Sequence, residues 1–250
     1  MAEQQKSEYR PDQIRRCYPT GIDEFYWHRA RNWILTRELK KFARKEDPLL
    51  EIGCARGFVV KHLRRQGFSC DGVELAAVEP EEEVAAYIRR GIKAEDLPEA
   101  SRMSYKTLLL LDVIEHIEDP VVFLRSLIDS FPHVSHILIT VPARAELWSN
   151  YDDYYGHFRR YHPAMMKQLE SALPWDLTFT SYFFRVLYFP AFLSAALRWK
   201  RSTTVSAPRG PSKLFHCLLG DYLKLEYMIF PRTIPGTSLL NVFKINDPIS

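Results

Sequence analysis

The stretch that most restricts this chain is Leu49-Leu50-Glu51-Ile52-Gly53-Cys54-Ala55-Arg56-Gly57, in which a short apolar run meets a turn of small residues. It continues into Phe58-Val59-Val60-Lys61-His62-Leu63-Arg64-Arg65, where the apolar residues recur at helical spacing, so the whole reads strand, tight turn, helix. In an open α/β sheet that turn lies at the carboxyl edge of a strand, where ligands bind and backbone N–H groups at the helix start face a polar or anionic group. Gly53 and Gly57 permit positive φ and close backbone approach, with Ala55 as the small residue between them.

A carboxylate on the next strand sharpens this. Cys70-Asp71-Gly72-Val73-Glu74-Leu75 ends on Glu74, an acidic residue placed to accept both hydroxyls of a ribose. Pyrophosphate turns favour G-x-G-x-x-G, whereas Glu51-x-Gly53-x-Ala55-x-Gly57 lacks the third close glycine and puts a carboxylate on the strand. The pattern favours a nucleoside with a cationic or zwitterionic tail over a dinucleotide.

Together with Asp112-Val113-Ile114-Glu115-His116-Ile117-Glu118-Asp119-Pro120, these segments resemble the class I S-adenosylmethionine-dependent methyltransferases, especially the small-molecule branch of the ubiquinone-biosynthesis type. The resemblance runs from about Tyr26 to Tyr161 and resumes near Leu239. It implies an α/β fold with a doubly wound, Rossmann-like, seven-stranded sheet, mostly parallel with an antiparallel C-terminal edge strand at Ser238 to Ile245. It also implies S-adenosylmethionine as cofactor, cradled by Arg31, Glu51, Gly53, Ala55, Gly57, Glu74, Leu75, Asp96, Leu97 and Asp112. Arg31, on a leading helix from Phe25 through Leu39, would meet the methionine carboxylate beside Tyr26 and Trp27. The same helix reads equally as an amphipathic packing helix with solvated arginines. Asp96 would reach the adenine amine; as a loop acid it could equally be solvated.

Strand and helix signals alternate in order: Leu49 to Ile52, a helix to about Gln66, Ser69 to Glu74, a helix from Glu81 to Arg90, a short strand near Ile92, and the unbroken run Leu108 to Leu111. That run has no alternation, as expected of a central strand covered on both faces. Ile137 to Val141, a helix from Pro163, and a strand from Leu177 to Tyr182 follow. Residues 1–20 read as a flexible arm and 21–250 as a single domain. The insertion 183–232, rich in aromatic and basic residues, reads as a cap over the substrate. With 46% hydrophobic and 26% charged residues, 250 residues suffice for one well-buried domain and would cramp two. Thirty-four basic and 31 acidic residues leave a net charge of +3, too balanced for a nucleic-acid footprint, and there is no Asn-Pro-Pro-Tyr-like base-flipping motif. Cys17, Cys54, Cys70 and Cys217 form no CxxC pair, and the first twenty residues hold no apolar secretory core. The expected compartment is the cytoplasm.

Methyl transfer from a sulfonium is an in-line displacement, so orientation and exclusion of water carry most of the catalysis. An oxygen acceptor also needs a base, and the candidates are His116 first and His157 second; each reads equally as a loop histidine satisfied by its neighbours. Asp112, Glu115 and His116, at i, i+3 and i+4, would share one helical face and raise a divalent-metal reading. The remaining ligands would have to come from His157, His162 or water, whose approach the sequence does not fix, and no metal is assigned. Arg159 and Arg160 could grip an acidic substrate or brace the loop against Asp152 and Asp153. The apolar stretch Tyr182 to Leu193 is broken by Arg185 and Pro190 and too short to span a bilayer. Followed by Arg198, Lys200 and Arg201, 183–201 could rest on an anionic lipid surface, admit a lipid-like acceptor, or pack as a cap. The expected activity is O-methylation of a small-molecule or lipid-like acceptor. N- or C-methylation, or a cofactor-binding sensor without turnover, stays open.

Overall fold

The alternating signals resolve into five parallel strands, β1 (Leu49–Ile52), β2 (Cys70–Glu74), β3 (Ile88–Arg90), β4 (Thr107–Leu111) and β5 (His136–Pro142), joined by β6 (Trp175–Phe183) and β7 (Ser238–Ile245). This computed structural model describes residues 11–246. The sheet order is β3-β2-β1-β4-β5-β7-β6, with β7 antiparallel to both neighbours. The seven-stranded, mostly parallel, doubly wound α/β architecture is therefore as expected. One detail differs: β7 lies inside the sheet and β6 forms the edge. The burial of β7 from Ser238 through Phe243 fits an interior strand, while β6 is partly open over its first half.

The unbroken Leu108-Leu109-Leu110-Leu111 run feeds two cores at once. Leu108 and Leu110 pack with Leu50, Ile137 and Ile139 beneath α5 (Pro120–Ser130) and α7 (Pro163–Ala172). Leu109 and Leu111 pack on the other face with Leu49 and Leu138, beneath α2 (Tyr26–Leu39) and α3 (Phe58–Arg65). The connection after β2 corrects the expected helix from Glu81 to Arg90. It is a 3-10 turn over Glu82–Tyr87 that ends because Ile88 enters the sheet opposite Gly72, which makes β3 four residues earlier than the expected strand near Ile92. A short helix α4 (Glu99–Arg102) precedes β4.

The first ten residues of the expected N-terminal arm lie outside the described residues. The rest of it is structured: α1 (Pro11–Cys17) buries Ile14, and Gln13 donates to the Tyr154 carbonyl of α6 (Asn150–Tyr155). The insertion contains α8 (Tyr188–Ala196) and α9 (Ser212–Ile229). Its connecting stretch accepts the Tyr155 hydroxyl at the Thr203 carbonyl and pairs Val205 N–H with the Arg16 carbonyl, so it fastens α1 and α6 from outside.

Candidate active site

At the carboxyl ends of β1, β2 and β4 the chain encloses a cavity of about 1380 Å³, roofed by Ile14 and Tyr18 and walled by Phe158 and Arg159. The β1 turn reaches it through Gly53 and Ala55, both with positive φ (75° and 49°). A Cβ on Gly53 would stand 2.9 Å from Val113 Cγ2, so glycine keeps this wall open. Gly57, at φ 81°, caps α3 and packs under Ile88 instead of facing the cavity.

Glu74 ends β2 on the cavity wall, 8% exposed. Its Oε2 accepts the Ala55 N–H at 2.8 Å and its Oε1 the Ala76 N–H at 2.9 Å, which ties the two strand ends together. Burial raises its pKa, partly offset by those N–H groups. Leu75 lines the cavity alongside it. In the next loop Lys93, Ala94 and Glu95 line the wall, while Asp96 points to solvent and Leu97 is buried in the core. The acid that sequence pointed to is thus one residue away from the one at the cavity; a three-residue 3-10 turn over Ala94–Asp96 decides which side chain faces in.

β4 ends on Asp112, held at φ 59°, a strained backbone that Asp tolerates better than most residues. Its Oδ2 accepts Arg31 Nη1 at 2.8 Å and its Oδ1 the Thr140 hydroxyl at 3.3 Å. Arg31 does not line the cavity but sits behind Asp112, stacked 4.4 Å from the Trp27 ring centroid. Glu51, also behind the wall, is 3% exposed, and burial pushes its pKa up to about 8 against the pull of Arg31.

Asp112, Glu115 and His116 do not share an α-helical face, because the chain folds into a 3-10 turn over Ile114–His116 after Asp112 has turned toward Arg31. Glu115 and His116 instead meet His157 of the aromatic loop, with one ligand atom from each within 4.8 Å of the others. His116 lines the cavity and lies edge-on to His157 at 4.7 Å between centroids. Burial, then the neighbouring His157, lower its pKa to about 3. His157 Nδ1 bonds Asp152 Oδ1 at 2.8 Å, and Arg160 grips both oxygens of the same buried carboxylate at 2.7 and 3.1 Å. Arg160 therefore braces the loop, while Arg159 bonds the Glu118 carbonyl at the cavity rim. The sequence missed Asp152 as the hub: its five-residue spacing to His157 becomes a contact only because Gly156 turns the chain at φ 69°.

The sequence matches, over residues 26–177, the family described as a methyltransferase domain, and the chain belongs to that family. It is a transferase that takes its methyl group from S-adenosylmethionine. Among solved structures, the fold is similar to geranyl diphosphate C-methyltransferase from Streptomyces coelicolor A3(2), with a TM-score of 0.53 at 12% identity over 87% of this chain and 79% of that one. It is similar also to the methyltransferase domain of bacterial CtHen1-CN, with a TM-score of 0.52 at 11% identity over 87% and 98% of the two chains. For the plantazolicin methyltransferase BamL the TM-score is 0.51 at 15% identity, over 95% of this chain and 89% of that one. A search of curated protein sequences found no match.

The donor set suits a zwitterionic nucleoside. Arg31 Nε and Glu51 Oε2 are buried without hydrogen-bond partners, one cationic and one carboxylic group directly behind the β1–β4 part of the cavity wall. The glycine wall at Gly53 leaves room, and Glu74 sits at the β2 end.

Proposed function

We propose that the enzyme methylates an oxygen of a small-molecule or lipid-like acceptor, with the cofactor held by Glu74, Leu75, Gly53, Ala55 and Asp112, Arg31 and Glu51 completing its amino-acid end, and His116 as the base. The observation that carries the reading is that Glu74, Asp112 and His116 line one cavity. Gly57 supports the turn from below, and Glu95 takes the place expected of Asp96 and Leu97 at the nucleoside edge.

S-adenosylmethionine supplies an electrophilic methyl group on a positively charged sulfur. Ile14 of α1 and Tyr18 line the crevice, and shielding of the bound reactants from water would favour displacement over hydrolysis. His116, with a pKa near 3, is neutral throughout the physiological range and ready to accept a proton. So weak a base cannot ionise a free hydroxyl beforehand. It can take the proton once the attacking oxygen has become a protonated ether, a far stronger acid, so it serves late in the displacement. His157, oriented by Asp152, backs the His116 ring.

The resemblance to the small-molecule branch supports an acceptor of modest size, and one fold neighbour is named for action on geranyl diphosphate. That neighbour is a C-methyltransferase, which makes the product bond the point to test. Incubation with labelled S-adenosylmethionine and a panel of phenols, hydroxy acids, amines and prenylated compounds, read by mass spectrometry and NMR, should give an O-methyl product. Its kcat should fall about 100-fold in His116→Ala. Cofactor binding by calorimetry without any methylated product would favour the sensor reading.

A further inference from the structure

Helix α9 is fixed by one side only. Leu223 and Tyr227 enter the core, Gly220 lies against Arg29, and Glu226 accepts the N–H groups of Arg185 and Val186 at 2.7 and 3.2 Å, just where α8 begins. At 100° per residue the opposite side gathers Leu214, Phe215, Leu218, Asp221, Tyr222, Leu225, Met228 and Ile229 within one arc. All but Asp221 are apolar or aromatic, and Leu214, Phe215, Leu218 and Ile229 are 61 to 66% exposed. Helix α8 buries no residue, and Phe189 is 69% exposed. Between the helices runs the exposed sequence Arg198-Trp199-Lys200-Arg201.

So much outward apolar surface needs a covering. Charge selects its nature. Residues 183–232 contain eight basic and two acidic residues; the rest of the chain holds the other 26 basic and 29 acidic residues, so the insertion is strongly positive on a mildly negative body. The buried Arg185–Glu226 pair cancels, which leaves Asp221 as the insertion's only other acid. A two-fold self-contact would oppose this cationic segment to itself, whereas an anionic lipid leaflet complements it and repels the remaining body. Among the described residues no helix is long and apolar enough to cross a membrane, so the surface can lie on a bilayer and not through it. Trp199, 61% exposed between three cations, has the amphipathic character of an interfacial anchor.

We infer that α8, α9 and the Arg198–Arg201 segment seat the enzyme on an anionic bilayer, apolar side chains in the acyl boundary and cations at the head groups. The test needs no turnover and so stands apart from the acceptor assignment. The full chain is sedimented with vesicles of phosphatidylcholine alone and of phosphatidylcholine with phosphatidylglycerol, and its mass in solution is measured by light scattering. Expected are a monomer in solution, binding to the anionic vesicles, and binding about tenfold weaker when Arg198→Glu and Lys200→Glu are combined. Leu218→Glu should abolish binding while circular dichroism and cofactor affinity stay unchanged, since that side chain faces outward. Equal sedimentation with both vesicle types, none with either, or a dimer that Leu218→Glu dissociates would overturn the inference.

Discussion

Arg31 Nη1 lies 2.8 Å from Asp112 Oδ2 although the two residues are 81 positions apart, so the leading helix is tied to the end of β4 at the wall of the crevice. Arg31 is 3% exposed, and removing its partner leaves a buried guanidinium uncompensated. Asp112→Ala should therefore lower unfolding free energy by about 3–5 kcal/mol. Asp112→Asn, which tolerates the left-handed backbone and keeps hydrogen-bonding capacity, should lose less. Urea denaturation of both variants, with Arg31→Ala to complete a double-mutant cycle, checks the coupling.

The glycines predict a ranking. Gly57 and Gly53 both have positive φ, and an added Cβ would meet Ile88 Cδ1 at 2.5 Å and Val113 Cγ2 at 2.9 Å respectively. Gly91 has φ 72° but nothing within 4 Å of such a Cβ. Alanine at Gly91 should cost only the backbone strain, about 1 kcal/mol. Gly53→Ala and Gly57→Ala should cost more, and only Gly53→Ala should also weaken cofactor binding directly, as thermal unfolding and calorimetry would report.

Glu74 has two tasks, holding the Ala55 and Ala76 N–H groups and facing the cavity. Glu74→Ala should weaken binding of S-adenosylhomocysteine by about 1–3 kcal/mol, the scale of losing a charged hydrogen-bond partner. Unchanged affinity in a calorimetric titration would remove Glu74 from the cofactor site.

Two neighbours shift in opposite ways with pH. Burial, then Asp112, raise the Glu115 pKa well above 4.5, so its contribution to stability is full below 4.5 and declines as pH rises toward the folded value. His116 is lowered from 6.5 to about 3, so the unfolded chain takes up the proton first and stability falls as pH drops below 6.5, by up to about 1.4 kcal/mol per pH unit. Glu115→Gln should flatten the decline above 4.5, and His116→Asn the decline below 6.5. Denaturation midpoints across that range separate the two limbs.

Asp152 is fully buried between His157 and Arg160. Although burial opposes ionisation, the hydrogen bond from His157 and the Arg160 charge hold its pKa well below the usual carboxylate range. Asp152→Asn should destabilise the fold by about 3–5 kcal/mol and lower kcat along with it. Arg160→Lys should not rescue the loop, because an ammonium cannot reproduce the two-oxygen grip. Differential scanning calorimetry beside the turnover assay reads both effects.

Local chemistry made much of the candidate site legible. Gly53, Ala55, Glu74, Leu75 and Asp112 are set by turn geometry and strand ends within a few residues, and all five reach the cavity. Arg31, Glu51, Gly57 and His157 stand behind that wall, a distinction no spacing carries. The roof was missed because residues 1–20 are polar and lack a strong period. Only the placement of Ile14 and Tyr18 against the crevice reveals its use. The insertion was expected to cover the substrate; none of the cavity-lining residues comes from it, and its bonds go to α1, α2, α6 and the loop after β5.

By itself the sequence determined most of the alternation of strands and helices, the glycine turn after β1 and the acid that ends β2, because these depend on periodicity, glycine and side-chain charge over short distances. Strand order was decided by tertiary structure: β7 enters between β5 and β6, where Ser238 through Phe243 are covered on both faces and the strand has hydrogen-bonded neighbours on both edges. The pairing of Arg31 with Asp112 was decided there too, since burial of each charge is tolerable only once the other is present, and so was the meeting of Glu115 and His116 with His157, which brings together side chains from two separate loops.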